Sequence, residues 1–388
     1  MIMKLLIFTQ KVDLNDDVLG FMHGWITEFA KNCEKVTVIA LGVGEINLPN
    51  NVKVVSLGKE TGKSRIKYLI NFYKYVWRER KNYDAVFVHM NKEYVILGGL
   101  IWRLLGKKIG LWYVHKQVSY QLKLAEKIAD VIFTASPESF QLPSSKLKII
   151  GHGIDLNKFY YSPGVKPDGN FKIIYVGRIS KIKNQKLLIE AINILVHPVK
   201  SGEAGARPVK YAMHPEGISR DKQFNGVNKK SINNIKVDFI GSPIYQDDND
   251  YKNELIEQVK NSRLENYIQF IGSVPNKDMA NVYRQADLSI NLCPTGGMDK
   301  AVLESMATGL PVIVFNKTFA PLFNEFSNLI LLDLSAQELA DKIQALLNKP
   351  KEELNLIGLN LRKKIIDKYN LTGLAGKIVS GLENKYDR

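Results

Sequence analysis

Apolar residues recur along this chain in short runs, separated by polar turns and by stretches of helical spacing. Lys4–Thr9 (KLLIFT) has the continuous apolar run of a buried strand. Gln10–Gly20 is a polar loop, Phe21–Lys31 has helical spacing, and Lys35–Leu41 and Val52–Leu57 read as strands. The alternation continues through strand Asp84–His89, helix Tyr94–Leu105, strand Lys108–His115, a helix ending at Ile128 and strand Asp130–Ala135. This βαβ rhythm predicts a parallel sheet covered by helices. Proline and glycine then cluster at Pro163–Gly169 (PGVKPDG), a linker, and the rhythm starts again. Strands are expected at Lys172–Val176, Lys236–Gly241, Tyr267–Ile271, Leu288–Leu292, Val312–Phe315 and Leu329–Leu332. Helices are expected at Gln185–Leu195, Tyr251–Ser262, Lys277–Gln285, Ala336–Leu347, Glu352–Tyr369 and Thr372–Tyr386. Residues 197–234 break the pattern with three prolines and little periodicity, and are expected to be a mobile insertion peripheral to the chemistry.

Two stretches stand out. Ser64–Asn82 is an amphipathic helix whose Ile66, Leu69, Ile70, Tyr73, Val76 and Trp77 recur at helical spacing, surrounded by Arg65, Lys67, Lys74, Arg78, Arg80 and Lys81. The apolar stripe is expected to cover the sheet. The charges are left to solvent or to an anionic bilayer. Asp287–Phe315 reads as strand, Gly-rich turn, helix and strand, with Asp299 as N-cap and with Gly309 and Pro311 stopping the helix. Backbone N–H groups of the turn, around Gly296, Gly297 and Met298, would point outward where a phosphate or sugar hydroxyl could lie. Glu304, one and a half turns into the helix, could reach such a ligand.

Length and composition narrow the class. The 388 residues suffice for two domains, and a hydrophobic content of 45% is that of a globular protein. No apolar run reaches the length of a membrane span, and the N-terminal apolar run is read as a first strand rather than a signal peptide. Two cysteines, Cys33 and Cys293, argue for a reducing cytoplasm and against a disulfide or zinc framework. The net charge is +15, and residues 1–158 hold 23 Lys/Arg against 14 Asp/Glu. That excess suits an anionic partner, or marks a merely basic cytoplasmic protein.

Candidate chemistry gathers at strand ends. Arg178 and Lys183 follow the strand at Lys172–Val176 on a strand-to-helix loop, where two cations and a helix N-terminus can hold a diphosphate. His89 and His115 end neighbouring strands on the edge where parallel sheets bind ligands.

Taken together, VGRISKIKN (176–184), FIGSVPNKDMANVYRQADLSINL (270–292), DKAVLESMATGLPVIV (299–314) and GHGIDLNKF (151–159) resemble the family 4 retaining glycosyltransferases of GT-B architecture. The resemblance covers nearly the whole chain outside the insertion. It implies two Rossmann-like α/β domains facing a cleft: residues 1–158 for the acceptor and 159–371 for a nucleotide-sugar, with the helix in 372–388 packing back on the first domain. Arg178 and Lys183 match the family's diphosphate pair, and Glu304 matches the second Glu of its Glu-x7-Glu motif, which is placed on the donor ribose. His115 matches a histidine beside donor and acceptor that orients both. Val274 lies where the nucleobase is held, and Gly241 in the donor-side glycine loop. Gly20, His23 and His89 stand on the acceptor side, although the first loop lacks the family's Gly-Gly pair. Eight residues before Glu304, where the family has its first Glu, this chain has Gly296; Asp299, Lys300 or the turn's N–H groups are then expected to take over its contact with the donor sugar.

The implied activity is metal-independent retaining transfer of a hexose from a nucleotide-diphosphate sugar to a glycan or lipid-linked acceptor in cell-surface polysaccharide or glycolipid synthesis. No metal and no resident cofactor are expected, and the leaving phosphate itself helps deprotonate the acceptor. The protein is expected in the cytoplasm, peripheral at the inner face of the membrane. Two other classes compete. A GT-B epimerase or phosphorylase-like enzyme would need cleft carboxylates, which Gly296 disfavours. A nucleic-acid-binding protein would need basic and aromatic residues on one exposed face, for which Ser64–Asn82 is the only stretch, and nucleic acid is not expected as a partner.

Overall fold

The computed structural model describes residues 2–62, 64–162, 169–198, 232–294 and 296–383. Two parallel sheets organise them. The first contains β1 (Lys4–Val12), β2 (Lys35–Val43), β3 (Val52–Ser56), β4 (Ala85–His89), β5 (Lys108–Trp112), β6 (Val131–Thr134) and β7 (Leu147–Ile149), in the order β3-β2-β1-β4-β5-β6-β7. The second contains β8 (Phe171–Val176), β9 (Ile235–Ile240), β10 (Ile268–Gly272), β11 (Leu288–Asn291) and β12 (Val312–Val314), in the order β10-β9-β8-β11-β12. Every strand pair is parallel, with Leu5 of β1 opposite both Val36 and Ala85.

The run that predicted β1 is apolar at successive positions because both of its faces are covered. Leu5 and Ile7 point into a core with α1 (Met22–Asn32). Leu6 and Phe8 point the other way, towards Phe72 of α2 (Arg65–Arg78) and Trp102 of α3 (Lys92–Leu104). The strand extends to Val12, beyond the polar boundary expected at Gln10, because Lys11 and Val12 still pair with β2. Helix α4 (Tyr120–Ile128) completes the layer beside α3.

The second sheet is wrapped by α5 (Gln185–Val196), α6 (Gln246–Asn261), α7 (Met279–Arg284), α8 (Lys300–Ala307), α9 (Ala336–Leu347) and α10 (Lys351–Lys368). The expected strand at Leu329–Leu332 does not form. A 3-10 turn covers Asn324–Leu329, and Ile330 makes a single bridge to Val314, with Leu332 pointing into solvent. The expected helix Lys277–Gln285 divides into a 3-10 turn at Asn276–Asp278 and α7. Most of the expected insertion, 199–231, lies outside the described residues.

The chain passes between the domains twice, and the two crossings are bonded together. The Ile154 N–H donates to the Tyr369 carbonyl at 2.7 Å, and the Leu371 N–H donates back to Ile154 at 3.0 Å. After that crossing, α11 (Leu371–Glu383) lies against α1 and buries Leu374, Ile378 and Leu382 in the first domain's core. Thr372 donates to Glu28 of α1 at 3.0 Å. In both sheets the strand order reverses direction, at β1/β4 and at β8/β11, and the crevices outside those strand ends are where open parallel sheets take ligands.

One sequence expectation fails here with consequences. The α2 stripe does not cover the sheet: only Phe72 and Val76 of that helix are fully buried, while Ile66 is 72% exposed and Trp77 57%. Phe72 packs against Tyr94 and Trp102 of α3, so that of the expected stripe only Val76 turns to the core and Ile66, Leu69, Ile70, Tyr73 and Trp77 stay outside.

Candidate active site

The loop after β8 carries the first cation. Gly177 is at φ +149, and its carbonyl is so close to Gly241 (φ +135) that a Cβ there would come within 2.2 Å of it. Glycine at 241 therefore lets the loops after β8 and β9 touch. Arg178 then projects beside Asp248, Nε–Oδ2 3.9 Å, with its guanidinium 5.5 Å from the Tyr245 ring. Lys183 comes from a 3-10 turn (Lys181–Lys183), anchored by the Tyr175 hydroxyl, which bonds to the Lys183 carbonyl.

Lys183 and Asp299 form an ion pair at 2.5 Å. Burial opposes charge on both. The attraction between them outweighs it, holding the Lys183 pKa above and the Asp299 pKa below their usual values, so both are ionised. Asp299 also accepts from Asn291 at 3.0 Å and caps α8 through the Ala301 N–H at 3.3 Å. Its carboxylate is thus committed to placing Lys183 and starting the helix. Arg178, with its looser partner, has more charge available for an anion.

The Gly-rich turn is tightly placed. Gly297 approaches the first domain so closely that a Cβ would sit 1.9 Å from the Ser139 hydroxyl oxygen. Gly296 is at φ +107, a left-handed conformation that strains any side chain. A glutamate there could not adopt this turn without cost, which gives the departure at this position a backbone reason. Met298 packs on the second domain's core, and its backbone lies beside His152.

Glu304 is 7% exposed and accepts from the Tyr283 hydroxyl at 3.1 Å. Burial raises its pKa, with Lys300 and Lys158 pulling the other way. Lys300 lies 4.0 Å from Glu304 and stands 3.4 Å from the centre of the Phe21 ring, across the cleft. Burial pushes the Lys300 ammonium down to about 8.

Two cavities meet at Glu304. The first, of about 230 Å³, is lined by Gly177, Arg178, Gly241, Val274, Asn276 and Glu304 among others, all from the second domain, with Asp17 and Val18 at its rim. The second, of about 190 Å³, lies between the domains and is lined by Gly20, Phe21, His23, Lys158, Asn276, Lys300 and Glu304 among others. His23 is 6% exposed with burial lowering its pKa, and neither ring nitrogen has a partner among the described residues; nor has the indole N–H of Trp25 in the same lining. Buried polar atoms of this kind are ones that a bound hydroxyl would satisfy.

The structure thus brings Arg178, Gly241, Val274 and Glu304 together in one cavity, and Gly20, His23, Lys300 and Glu304 in the other. His89 is not in either lining. It packs behind Trp25 and Phe21, ring centres 5.6 and 5.8 Å away, and burial drops its pKa to about 3, so it stays neutral. His115 is exposed on the loop after β5, its Nδ1 accepting from the Gln117 N–H at 3.1 Å, outside both linings. The adjacent Lys116 faces Gly296 and Asn316 across a separate cleft. Sequence reasoning did not single out Lys158, Asn276 or Phe21. The Lys158 ammonium bonds the Asn276 side chain at 2.5 Å across 118 residues. The available signal was the position of Lys158 at the end of the GHGIDLNKF segment.

Residues 222–364 match the family model described as Glycosyl transferases group 1. Over 355 residues the chain is 25% identical to the UDP-Gal:alpha-D-GlcNAc-diphosphoundecaprenol alpha-1,3-galactosyltransferase of Escherichia coli, covering 85% of this chain and 81% of that one. Among solved structures, HepE of Anabaena in complex with UDP and glucose aligns with a TM-score of 0.69 at 16% identity, covering 98% of this chain and 100% of that one. Sucrose-phosphate synthase from Thermosynechococcus elongatus aligns with a TM-score of 0.66 at 15% identity, covering 97% and 98%. The two-sheet architecture is that of GT-B glycosyltransferases, and the domain match and relative support a transferase of that type.

Proposed function

We propose that this GT-B glycosyltransferase moves a hexose from a UDP-sugar to a lipid-linked glycan acceptor, with retention of anomeric configuration and without a metal. The observation that carries the reading is that the two cavities share Glu304 and Asn276. A donor in the first would place its sugar at the mouth of the second, where the acceptor hydroxyl would arrive. The donor nucleotide would lie by Gly241 and Val274, and its diphosphate beside Arg178, Lys183 and the start of α8. Transfer develops negative charge on the leaving diphosphate, and fixed cations at that point stabilise the transition state more than the ground state. Two cations and a helix terminus would thereby supply what a divalent ion supplies elsewhere. The leaving phosphate oxygen would accept the acceptor's proton, with Lys300 and His23 lining the path of the incoming hydroxyl.

UDP as the nucleotude is supported by the Anabaena structures, one of which holds UDP-glucose. A lipid-linked acceptor is supported by the Escherichia coli relative, whose name specifies a diphosphoundecaprenol substrate. Calorimetric titration with UDP, followed by turnover of UDP-galactose and UDP-glucose on a polyprenyl-diphosphate sugar, tests the reading. Arg178→Ala should lower kcat/KM by about 100-fold or more, the size expected for losing one charged group at the developing charge. Chelator should leave the rate unchanged, and product NMR should show the donor's anomeric configuration. No UDP binding, or full turnover by Arg178→Ala, would overturn the assignment.

A further inference from the structure

Helix α2 carries two apolar sides. One, with Phe72 and Val76, is buried against α3 and the sheet. The other, with Ile66, Leu69, Ile70, Tyr73 and Trp77, is exposed, at 72%, 41%, 59%, 38% and 57%. These positions fall at i, i+3, i+4, i+7 and i+11, one continuous stripe along about 17 Å of helix. Helix α3 extends it. The Tyr73 hydroxyl donates to the Leu97 carbonyl at 3.3 Å, and Leu100 and Leu104, three and seven positions beyond Leu97, are 72% and 79% exposed.

Charge frames this stripe with one sign. The segment Arg65–Arg78 contains no acidic residue. Lys67, Lys74 and Arg80 form no ion pair among the described residues, and Arg80 stacks 4.5 Å over the Trp77 ring. The next acidic residue along the chain, Glu79, is buried and held by Lys53 and Arg78 at 2.7 and 3.1 Å.

We propose that this face of α2, with the end of α3 beside it, docks on an anionic lipid bilayer. The stripe's aliphatic residues are bordered by basic residues whose long stems can lie on acyl chains while their heads meet phosphates. No helix among the described residues is long and apolar enough to cross a membrane. The docking is therefore lateral, and each basic residue near the surface adds to it. Because β3 and β4 are parallel strands of one sheet, α2 runs from the sheet edge that carries the cleft to the opposite edge. Its first turn thus lies on the cleft edge, where a lipid-borne acceptor would be presented. That last point rests on the transferase reading; the docking does not.

Flotation with vesicles of phosphatidylcholine, with and without phosphatidylglycerol, tests the proposal. Trp77 supplies a local probe, because Trp25, Trp102 and Trp112 are buried. Wild-type protein should float only with the anionic vesicles and be released by salt. Its emission should shift to the blue and be quenched by brominated lipid, and Trp77→Phe should lose that quenching. Ile70→Glu combined with Trp77→Glu, both exposed sites, should weaken binding by at least about tenfold, and Lys67→Glu with Lys74→Glu by a similar factor at low salt. UDP affinity measured on the same variants should match wild type. Absence of anionic-vesicle binding by wild type, equal binding by the variants, or wild-type self-association that Ile70→Glu with Trp77→Glu abolishes would overturn the docking face. Failure to bind UDP with vesicle binding intact would instead overturn the transferase reading alone.

Discussion

Gly297 and Ser139 meet where the turn of the second domain touches the first, and a single methyl decides whether they fit. Gly297→Ala would put a Cβ 1.9 Å from the Ser139 oxygen and 3.2 Å from the Ser139 Cβ and the Ser136 oxygen, so the Ser139 hydroxyl must turn away or the two loops must separate. Overpacking of this kind costs about 1–3 kcal/mol. Thermal unfolding should show the loss, and Ser139→Ala, which removes the nearest atom, should restore most of it. Lys300 carries the clearest pH signature. Its folded pKa, about 8, lies below the unfolded value of 10.5. The folded state therefore binds fewer protons than the unfolded one between those values, and stability should rise with pH across that window. The rise should be on the order of 3 kcal/mol. Urea unfolding at pH 7, 9 and 10 checks this, and Lys300→Met should abolish the slope. The placement of Arg178 and Lys183 on a strand-to-helix loop, and of Glu304 on the helix after the Gly-rich turn, could be read from the sequence because each lies in a local strand–turn–helix unit whose geometry its own residues set, whereas Gly241 and Val274 were reached only through the family resemblance. The roles expected for His89 and His115 depended on which way a strand end faces, which neighbouring side chains decide.

At the scale of elements, α11 shows how packing assigns a helix to a domain. Its sequence neighbours belong to the second domain, but Leu374, Ile378 and Leu382 are buried among Trp25, Phe29 and Phe133 of the first. Gly110 and Gly381 permit this, since a Cβ on either would fall within 2.8 Å of Leu382 or Phe133. Ile378→Ala should destabilise the protein by about 2–5 kcal/mol, read as a lower urea midpoint, and the loss should appear in the first domain's tryptophan fluorescence. Helix α2 shows the opposite case. Periodicity marked it as amphipathic, but two apolar sides compete for one sheet. The side holding Phe72 took the core because it stacks on Tyr94 at 5.7 Å and meets Trp102 at 6.2 Å.

For the whole molecule, the cleft depends on contacts between residues far apart in the chain. Lys277 reaches Asn15 at 2.6 Å, Lys158 reaches Asn276 at 2.5 Å, and Lys300 stands over Phe21. These contacts bring the two cavities to a common wall at Glu304. The alternation of apolar runs and helical spacing was enough to determine two parallel-sheet domains, the order of nearly all their elements and the loops that follow β8, β9 and β11. Those features follow from periodicity and turn chemistry within about 30 residues. The tertiary structure decided the cavity between the domains, the commitment of Asp299 to Lys183 and the outward face of α2. Each of these depends on how separately folded surfaces dock, and docking is governed by the shape and burial of side chains that no local period encodes.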